Sequence, residues 1–363
     1  MPVTRTRLAI TMGDPAGIGA EIVVKALDQI GRRGDAAPRL IVIGSAAALD
    51  RAAAMLEATC PPIVAAEEVS RVEASAMVPV GDDDAPPLGQ VTAAGGRFAY
   101  LAVERAVELA LDGRVDGIVT APLNKEALHL AGYRFSGHTD MLAALTGAPD
   151  TVMMLAHGSF RIAHLSTHVA LADVPRLLTR ERLDHTLRLT REALVKLGIA
   201  APRIAVAALN PHGGEGGVFG REDIDVTAPV VAEWRRDGCA VEGPVPGDTV
   251  FVKLRGGAYD AVVAMYHDQG HIPVKLLGFR TDPETGQWTA LNGVNVTLGL
   301  PIIRTSVDHG TAFDIAGRGI ASAESLVEAI DYAAALAEAR RKEQADAPAT
   351  EGGDVTWNKA SPI

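Results

Sequence analysis

Short apolar runs recur along the chain, broken by glycine, proline and polar clusters. Arg7-Leu-Ala-Ile-Thr-Met12, Leu40-Ile-Val-Ile-Gly44 and Gly117-Ile-Val-Thr120 are the first three. Continuous runs without polar alternation are expected of strands buried on both faces of a parallel sheet. Longer stretches with helical periodicity separate them, at about 20–30, 92–111 and 323–339. Ser45, directly after the Leu40–Gly44 run, is the expected cap of the helix that follows it. From Val152 to Leu300 strands and helices alternate with no obvious linker. This pattern predicts an α/β fold. No internal repeat interrupts it. The tail beyond Arg340 is polar and rich in Ala, Gly and Pro, and is expected to be disordered.

Three apolar runs share a further feature, since each leads into a polar knot that carries a histidine. Arg161-Ile-Ala-His-Leu-Ser-Thr-His168 ends at His168, Arg203-Ile-Ala-Val-Ala-Ala-Leu-Asn-Pro-His212 at His212, and Ala261-Val-Val-Ala-Met265 runs into His267. Open α/β sheets place ligands beyond the carboxyl ends of their strands. Three imidazoles delivered there would hold one divalent metal and leave positions open for substrate. Gly270 and Pro273 argue against a helix after His267, so His267 and His271 are not read as a helical pair. His157, His164, His185 and His271 read as ordinary surface or core histidines.

Other strand ends carry chemistry suited to anions. Ala121-Pro-Leu-Asn-Lys125 places an Asn and a Lys after one strand, and Ser136-Gly-His-Thr-Asp140 opens a helix with His138 and Thr139. Gly13-Asp-Pro-Ala-Gly-Ile-Gly19 forms a tight strand-to-helix turn but lacks the spacing of a dinucleotide or P-loop fingerprint. Asn210-Pro-His-Gly-Gly-Glu-Gly-Gly-Val-Phe-Gly220 is denser in glycine than a connection requires. Gly243-Pro-Val-Pro-Gly-Asp248 reads as a turn that positions Asp248, and residues 280–292 as a surface excursion.

Composition narrows the partners. The chain has 363 residues, enough for about two domains, and a net charge of −11 that argues against nucleic acid or anionic membrane. The two cysteines, Cys60 and Cys239, fit no metal spacing and point to a reducing compartment. No apolar leader or membrane-spanning run is evident, so a cytoplasmic location is expected.

Taken together the motifs resemble the 4-hydroxythreonine-4-phosphate dehydrogenase family. The likeness runs from Met12-Gly-Asp-Pro-Ala-Gly-Ile-Gly19 through Thr120-Ala-Pro-Leu-Asn-Lys125, Gly137-His-Thr139, Asn210-Pro-His212, Asp248-Thr249 and Tyr266-His-Asp-Gln-Gly270 to Arg304-Thr-Ser-Val-Asp-His-Gly-Thr-Ala312. It implies two α/β domains with a cleft between them, as in isocitrate and isopropylmalate dehydrogenases. Residues 1–135 with about 305–340 would form one, 136–304 the other, and 341–363 the tail. It implies a homodimer whose subunits together supply His168, His212 and His267 to the metal. Substrate contacts would be His138, Thr139, Lys275, Asn295 and Arg304. His309-Gly-Thr-Ala-Phe-Asp-Ile-Ala-Gly-Arg-Gly319 is similar to the relatives' adenosine-binding loop, placing NAD at His309, Gly310, Asp314 and Gly317.

Gly270-His-Ile-Pro-Val-Lys275 departs from the pattern of the biosynthetic enzymes and resembles the subgroup acting on 4-phospho-D-erythronate and 4-phospho-D-threonate. The expected reaction is NAD- and metal-dependent oxidation and decarboxylation of such an acid to dihydroxyacetone phosphate, CO2 and NADH. Alternatives are 4-phosphooxy-L-threonine oxidation in vitamin B6 biosynthesis, a metal-dependent phosphosugar lyase without NAD, and a non-catalytic phosphosugar-binding module. The metal is one of Zn, Co, Mn, Ni or Mg. Asp248, Asp268 and Lys125 are the candidates for the base, on placement alone.

Overall fold

The computed structural model describes residues 5–81, 85–148, 150–281, 283–284 and 288–346. The first part of the chain runs β1 (Arg7–Thr11), α1 (Gly19–Gly31), β2 (Arg39–Gly44), α2 (Ala46–Met55), β3 (Ala76–Pro79), α3 (Ala93–Leu111), β4 (Gly117–Thr120), α4 (Lys125–Leu130) and α5 (His138–Thr146). The middle runs β5 (Val152–His157), β6 (Phe160–His164), α6 (Val174–Leu177), α7 (Arg180–Lys196), β7 (Ile204–Ala207), α8 (Ala228–Arg236), β8 (Val241–Val245) and α9 (Gly247–Arg255). The last part runs β9 (Ala261–Ala264), α10 (His267–Gly278), β10 (Phe279–Thr281), β11 (Trp288–Leu291), β12 (Val294–Leu298), β13 (Arg304–Val307) and α11 (Glu324–Asp346).

Among the described residues eleven strands form one mixed sheet in the order β3-β2-β1-β4-β13-β12-β5-β6-β9-β7-β8. The first five are mutually parallel, as are the last four. Antiparallel pairings of β13 with β12, β12 with β5 and β5 with β6 join the two groups, which therefore run in opposite directions. The α/β expectation holds. The expected strands are found, with β4 as read and β1 and β2 each shifted by one residue at one end, and the Ser45 hydroxyl accepts from the Ala48 amide as the cap of α2.

One face of the sheet carries a continuous core. Leu8, Val42, Val119, Met154, Val206 and Val263 pack there under α1, α2, α7, α8 and α11. On the other face the core is split. Ala9, Ile41 and Ile118 pack under α3 and α5, whereas Leu155, Ile162 and Val262 pack under α9 and α10. The gap between these two clusters lies over β4, β13 and β12. Register fills it with polar side chains: Thr120 pairs with Ser306, and Ser306 with Asn295. Arg304, two residues before Ser306, shares that face. A cavity of about 350 Å³ opens above this polar row.

Two expectations are corrected here. A helix does follow His267, with Pro273 inside it. The glycine that argued against it is there for packing, because a Cβ on Gly270 would lie 2.2 Å from Nε2 of the buried His164. Docking of Val274 onto β5 and β6 outweighs the missing Pro273 amide. The last helix is also longer than expected. It continues to Asp346, held where Arg340 donates to the Asp116 carbonyl at 3.0 Å and Arg341 to the Thr6 hydroxyl. Of the tail, 347–363 lie outside the described residues. The excursion at 280–292 contains a two-stranded ribbon of β10 and β11, with 282 and 285–287 outside the described residues. Among the described residues no helix is long and apolar enough to cross a membrane.

Candidate active site

Arg304 is the centre of the cavity floor. It is 2% exposed, and its two terminal nitrogens donate to the hydroxyls of Thr297 and Thr120, each at 2.8 Å. Its Nε has no partner, and among the described residues no carboxylate bonds it. Burial pulls its pKa down to about 9, which still leaves it charged at neutral pH. A buried cation held by two neutral hydroxyls is costly unless an anion completes the site.

Around it stand groups that would accept the same anion. His138 opens α5 with its buried Nε2 unpartnered, and burial together with Arg304 keeps the ring neutral. Thr139 follows in the first turn, where backbone amides and the helix dipole favour negative charge. Asp140 also lines the cavity, but its carboxylate is committed, accepting from the amides of Ser136, Gly137 and Met141 at 2.6, 2.9 and 3.0 Å. That clamp fixes the loop that presents His138. Lys125 and Asn295, the latter with an unpartnered buried Oδ1, complete this side.

The opposite wall is α10. His267, His271 and Lys275 recur every four residues and so share one helical face lining the cavity. The His267 and His271 rings stack at 3.6 Å between centres and 10° between planes. His271 Nδ1 lies 2.9 Å from the His267 carbonyl, which can only accept, so its Nε2 carries the lone pair. His267 Nδ1 likewise faces Asp268 at 2.7 Å, leaving Nε2 free. A carboxylate behind an imidazole is the usual orienting partner of a metal ligand. Burial pulls His271 down to about 4. The same cause, followed by His271, takes His164 beneath it down to about 3.

His168 comes from the segment after β6, four residues past the strand end, and its ring centre lies 5.7 Å from that of His267. Two imidazoles bound through nitrogen to one ion at about 2.0–2.1 Å would bring their centres to roughly 5–6 Å. The pair therefore fits a shared cation. Burial, then His267 and Lys125, lower the pKa of His168 and keep it available as a neutral ligand. His212 is not with them. Strands β6, β9 and β7 are adjacent and parallel, as three converging histidines require, but the chain turns after β7 and leaves His212 exposed beside Phe219, outside the cavity. Among the described residues no three His, Cys, Asp or Glu side chains of one chain form a metal-holding group.

Of the proposed bases, only Lys125 lines the cavity. Asp248 is exposed in the first turn of α9, and Asp268 is exposed and turned to His267. His309 and Gly310 line the cavity; Asp314 does not, and Gly317 lines a separate pocket of about 200 Å³ with Gly17, Glu21, Arg51 and Leu88. Glu21 holds that loop by accepting from the amides of Gly317 and Gly319 at 2.5 and 3.0 Å.

Sequence reasoning missed His271 and Asp308. Asp308 lines the cavity with a buried, unpartnered Oδ2, and burial raises its pKa against the pull of Lys275 and His267. The fourfold spacing could have revealed His271 had the helix been allowed.

Comparison with known proteins adds independent findings. The family described as pyridoxal phosphate biosynthetic protein PdxA matches residues 36–333. The chain is 61% identical over 337 residues to a Bradyrhizobium diazoefficiens protein provisionally named D-threonate 4-phosphate dehydrogenase, covering 92% of this chain and 98% of the relative. It is 47% identical over 336 residues to the D-threonate 4-phosphate dehydrogenase of Salmonella typhimurium, covering 91% and 98%. A crystal structure of 4-hydroxythreonine-4-phosphate dehydrogenase from Klebsiella pneumoniae is similar at a TM-score of 0.78 and 42% identity, covering 93% of this chain and 99% of that one.

Proposed function

Because the chain belongs to the PdxA family, we propose that it is an NAD-dependent dehydrogenase that oxidises and decarboxylates a 4-phosphorylated four-carbon aldonate, 4-phospho-D-erythronate or 4-phospho-D-threonate. The observation that carries this reading is Arg304, a buried guanidinium without a carboxylate, facing His138, Lys275 and Asn295 in one cavity with an imidazole pair. Such a floor suits a small acid with an anion at each end.

The chain's own groups divide the work. Arg304, Lys275, Asn295, His138 and Thr139 hold the carboxylate and phosphate and so fix C3 between them. His309 and Gly310, which line the cavity, would hold NAD beside C3, with Asp314 and Gly317 on its adenosine half, and NAD would supply the acceptor for the C3 hydride. The hydroxyl proton goes to Asp308, whose free oxygen faces the cavity. The product is a ketone β to the carboxylate, which loses CO2. The Lys125 ammonium then supplies the proton that converts the enolate to dihydroxyacetone phosphate. His168 and His267, with His212 of a second copy, would hold a divalent ion, which would supply Lewis acidity for the oxidation and decarboxylation.

The choice among substrates rests on C2. His271 stands where the sequence departs from the biosynthetic pattern, and its lone-pair Nε2 suits a C2 hydroxyl. The amino substrate 4-phosphooxy-L-threonine has one observation in its favour, since an unpartnered Asp308 carboxylate would suit an ammonium. A panel of both aldonates and the amino acid, assayed with NAD and each divalent metal, separates the readings. The aldonates should show the higher kcat/KM, because a site built for one polar group leaves its partners unpaired with the other. Higher kcat/KM for 4-phosphooxy-L-threonine would replace this reading with the biosynthetic one.

A further inference from the structure

His212 stands on an unusual stretch of backbone. From His212 to Gly216 every residue is left-handed, with φ of 53°, 65°, 83°, 41° and 67°. Glycine adopts that region freely, but His212 and Glu215 carry side chains and are strained there. A surface loop holds such a run only when its surroundings over-determine it.

Two carboxylates do so. Asp223 is fully buried, and its two oxygens accept from the amides of Leu209 and Asn210 at 2.9 and 2.8 Å, the two residues before Pro211. Glu222 accepts from the Asn210 side-chain amide at 2.8 Å. The loop closes tightly on this clamp. A Cβ on Gly220 would lie 2.6 Å from Glu222 Oε2 and 2.8 Å from Asn210 Nδ2, and one on Gly214 would lie 2.6 Å from the Gly220 carbonyl. Neither carboxylate lines the cavity of its own chain.

We propose that Asp223 and Glu222 are positioning residues for His212, holding the strained loop so that its imidazole projects from one subunit toward the His168–His267 pair of a second copy. This rests on the assignment of His212 to the metal. Replacing Asp223 by Asn turns one acceptor into a donor that faces a backbone N–H, so one of the two amides loses its partner. Glu222→Gln keeps an acceptor oxygen for Asn210, whereas Glu222→Ala removes it. The rescue by Gln separates positioning from bulk or charge.

Cobalt(II) is the probe, titrated into the metal-free full-length protein against a chelator, at a temperature where each variant's thermal scan shows it folded. Asp223→Asn and Glu222→Ala should each weaken cobalt binding about 10–100-fold, the scale of a lost supporting contact. Both should also change the visible ligand-field bands. Glu222→Gln should match the parent within about twofold, with unchanged bands. His212→Ala serves as the reference. If it loses cobalt affinity while Asp223→Asn and Glu222→Ala keep theirs, the positioning role is overturned. If His212→Ala itself binds as tightly as the parent, the metal assignment of His212 fails instead. Should Asp223→Asn not fold, the Glu222 pair decides: equal binding by Ala and Gln overturns the proposal.

Discussion

Arg304→Met should abolish most catalysis while leaving the protein as stable as before, or more so. Methionine retains much of the arginine's length and apolar bulk but removes the charge that the cavity offers to substrate. Losing one partner of a buried, hydrogen-bonded charge pair costs about 2–5 kcal/mol in a complex, so kcat/KM should fall by roughly 30- to 4,000-fold. The free protein sees the opposite balance. There the guanidinium is buried with only the Thr120 and Thr297 hydroxyls as partners, and replacing such a charge by an apolar side chain is often neutral or stabilising. Thermal unfolding and steady-state kinetics on the same preparation test both halves. A large drop in melting temperature with kcat/KM preserved would make Arg304 a structural cation. Arg304→Lys should restore little, because one ammonium cannot reproduce the fixed fork that spans two hydroxyls.

His267→Ala and His168→Ala should each strip the bound divalent ion and with it the activity. Elemental analysis after desalting reads the first effect directly, and full occupancy in either variant would remove that residue from the site. Asp268→Asn is the milder companion, because it leaves the ring in place and loses only the orienting carboxylate. About a 10–100-fold loss of metal affinity is expected for it. His271→Ala should keep the metal and change the ranking of substrates.

The pH dependence follows from burial. His168 is depressed below the ordinary imidazole value, and His271 and His164 are pulled to about 4 and about 3. Each of these histidines is neutral in the metal-free fold at pH 7. A depressed folded-state pKa means that stability is fully present above the unfolded value near 6.5. It is drawn down as pH falls from there through about 4 and about 3.

Much of this site could be read from the chain because its signals are local. The buried strands, the Ser45 cap and the helix opened by His138 each announce themselves within a few residues. The three histidine strands also proved adjacent and parallel. What escaped was non-local. Pro273 and Gly270 look like helix breakers in isolation; only the packing of Val274 and the buried His164 ring makes a helix the better solution. The cavity opens on a face of the sheet, above Thr120, Ser306 and Asn295, and that row exists only because β12 and β13 pair beside β4, a strand far earlier in the chain. Asp308 stands just before the expected nucleotide loop, and nothing near it in sequence shows that its buried carboxylate lies within electrostatic reach of Lys275 and His267. The extension of α11 to Asp346 depends on contacts of Arg340 and Arg341 with the start of the fold and the Asp116 loop.

The most direct measurement is product stoichiometry on the metal-loaded protein with NAD and 4-phospho-D-erythronate or 4-phospho-D-threonate. NADH would be followed by absorbance, CO2 captured, and dihydroxyacetone phosphate consumed by a coupled triose-phosphate enzyme. The predicted result is one of each per substrate consumed, with none of the three formed when NAD is omitted. Dihydroxyacetone phosphate or another cleavage product appearing without NADH would contradict the account and point to a lyase. So would NADH accumulating with no CO2.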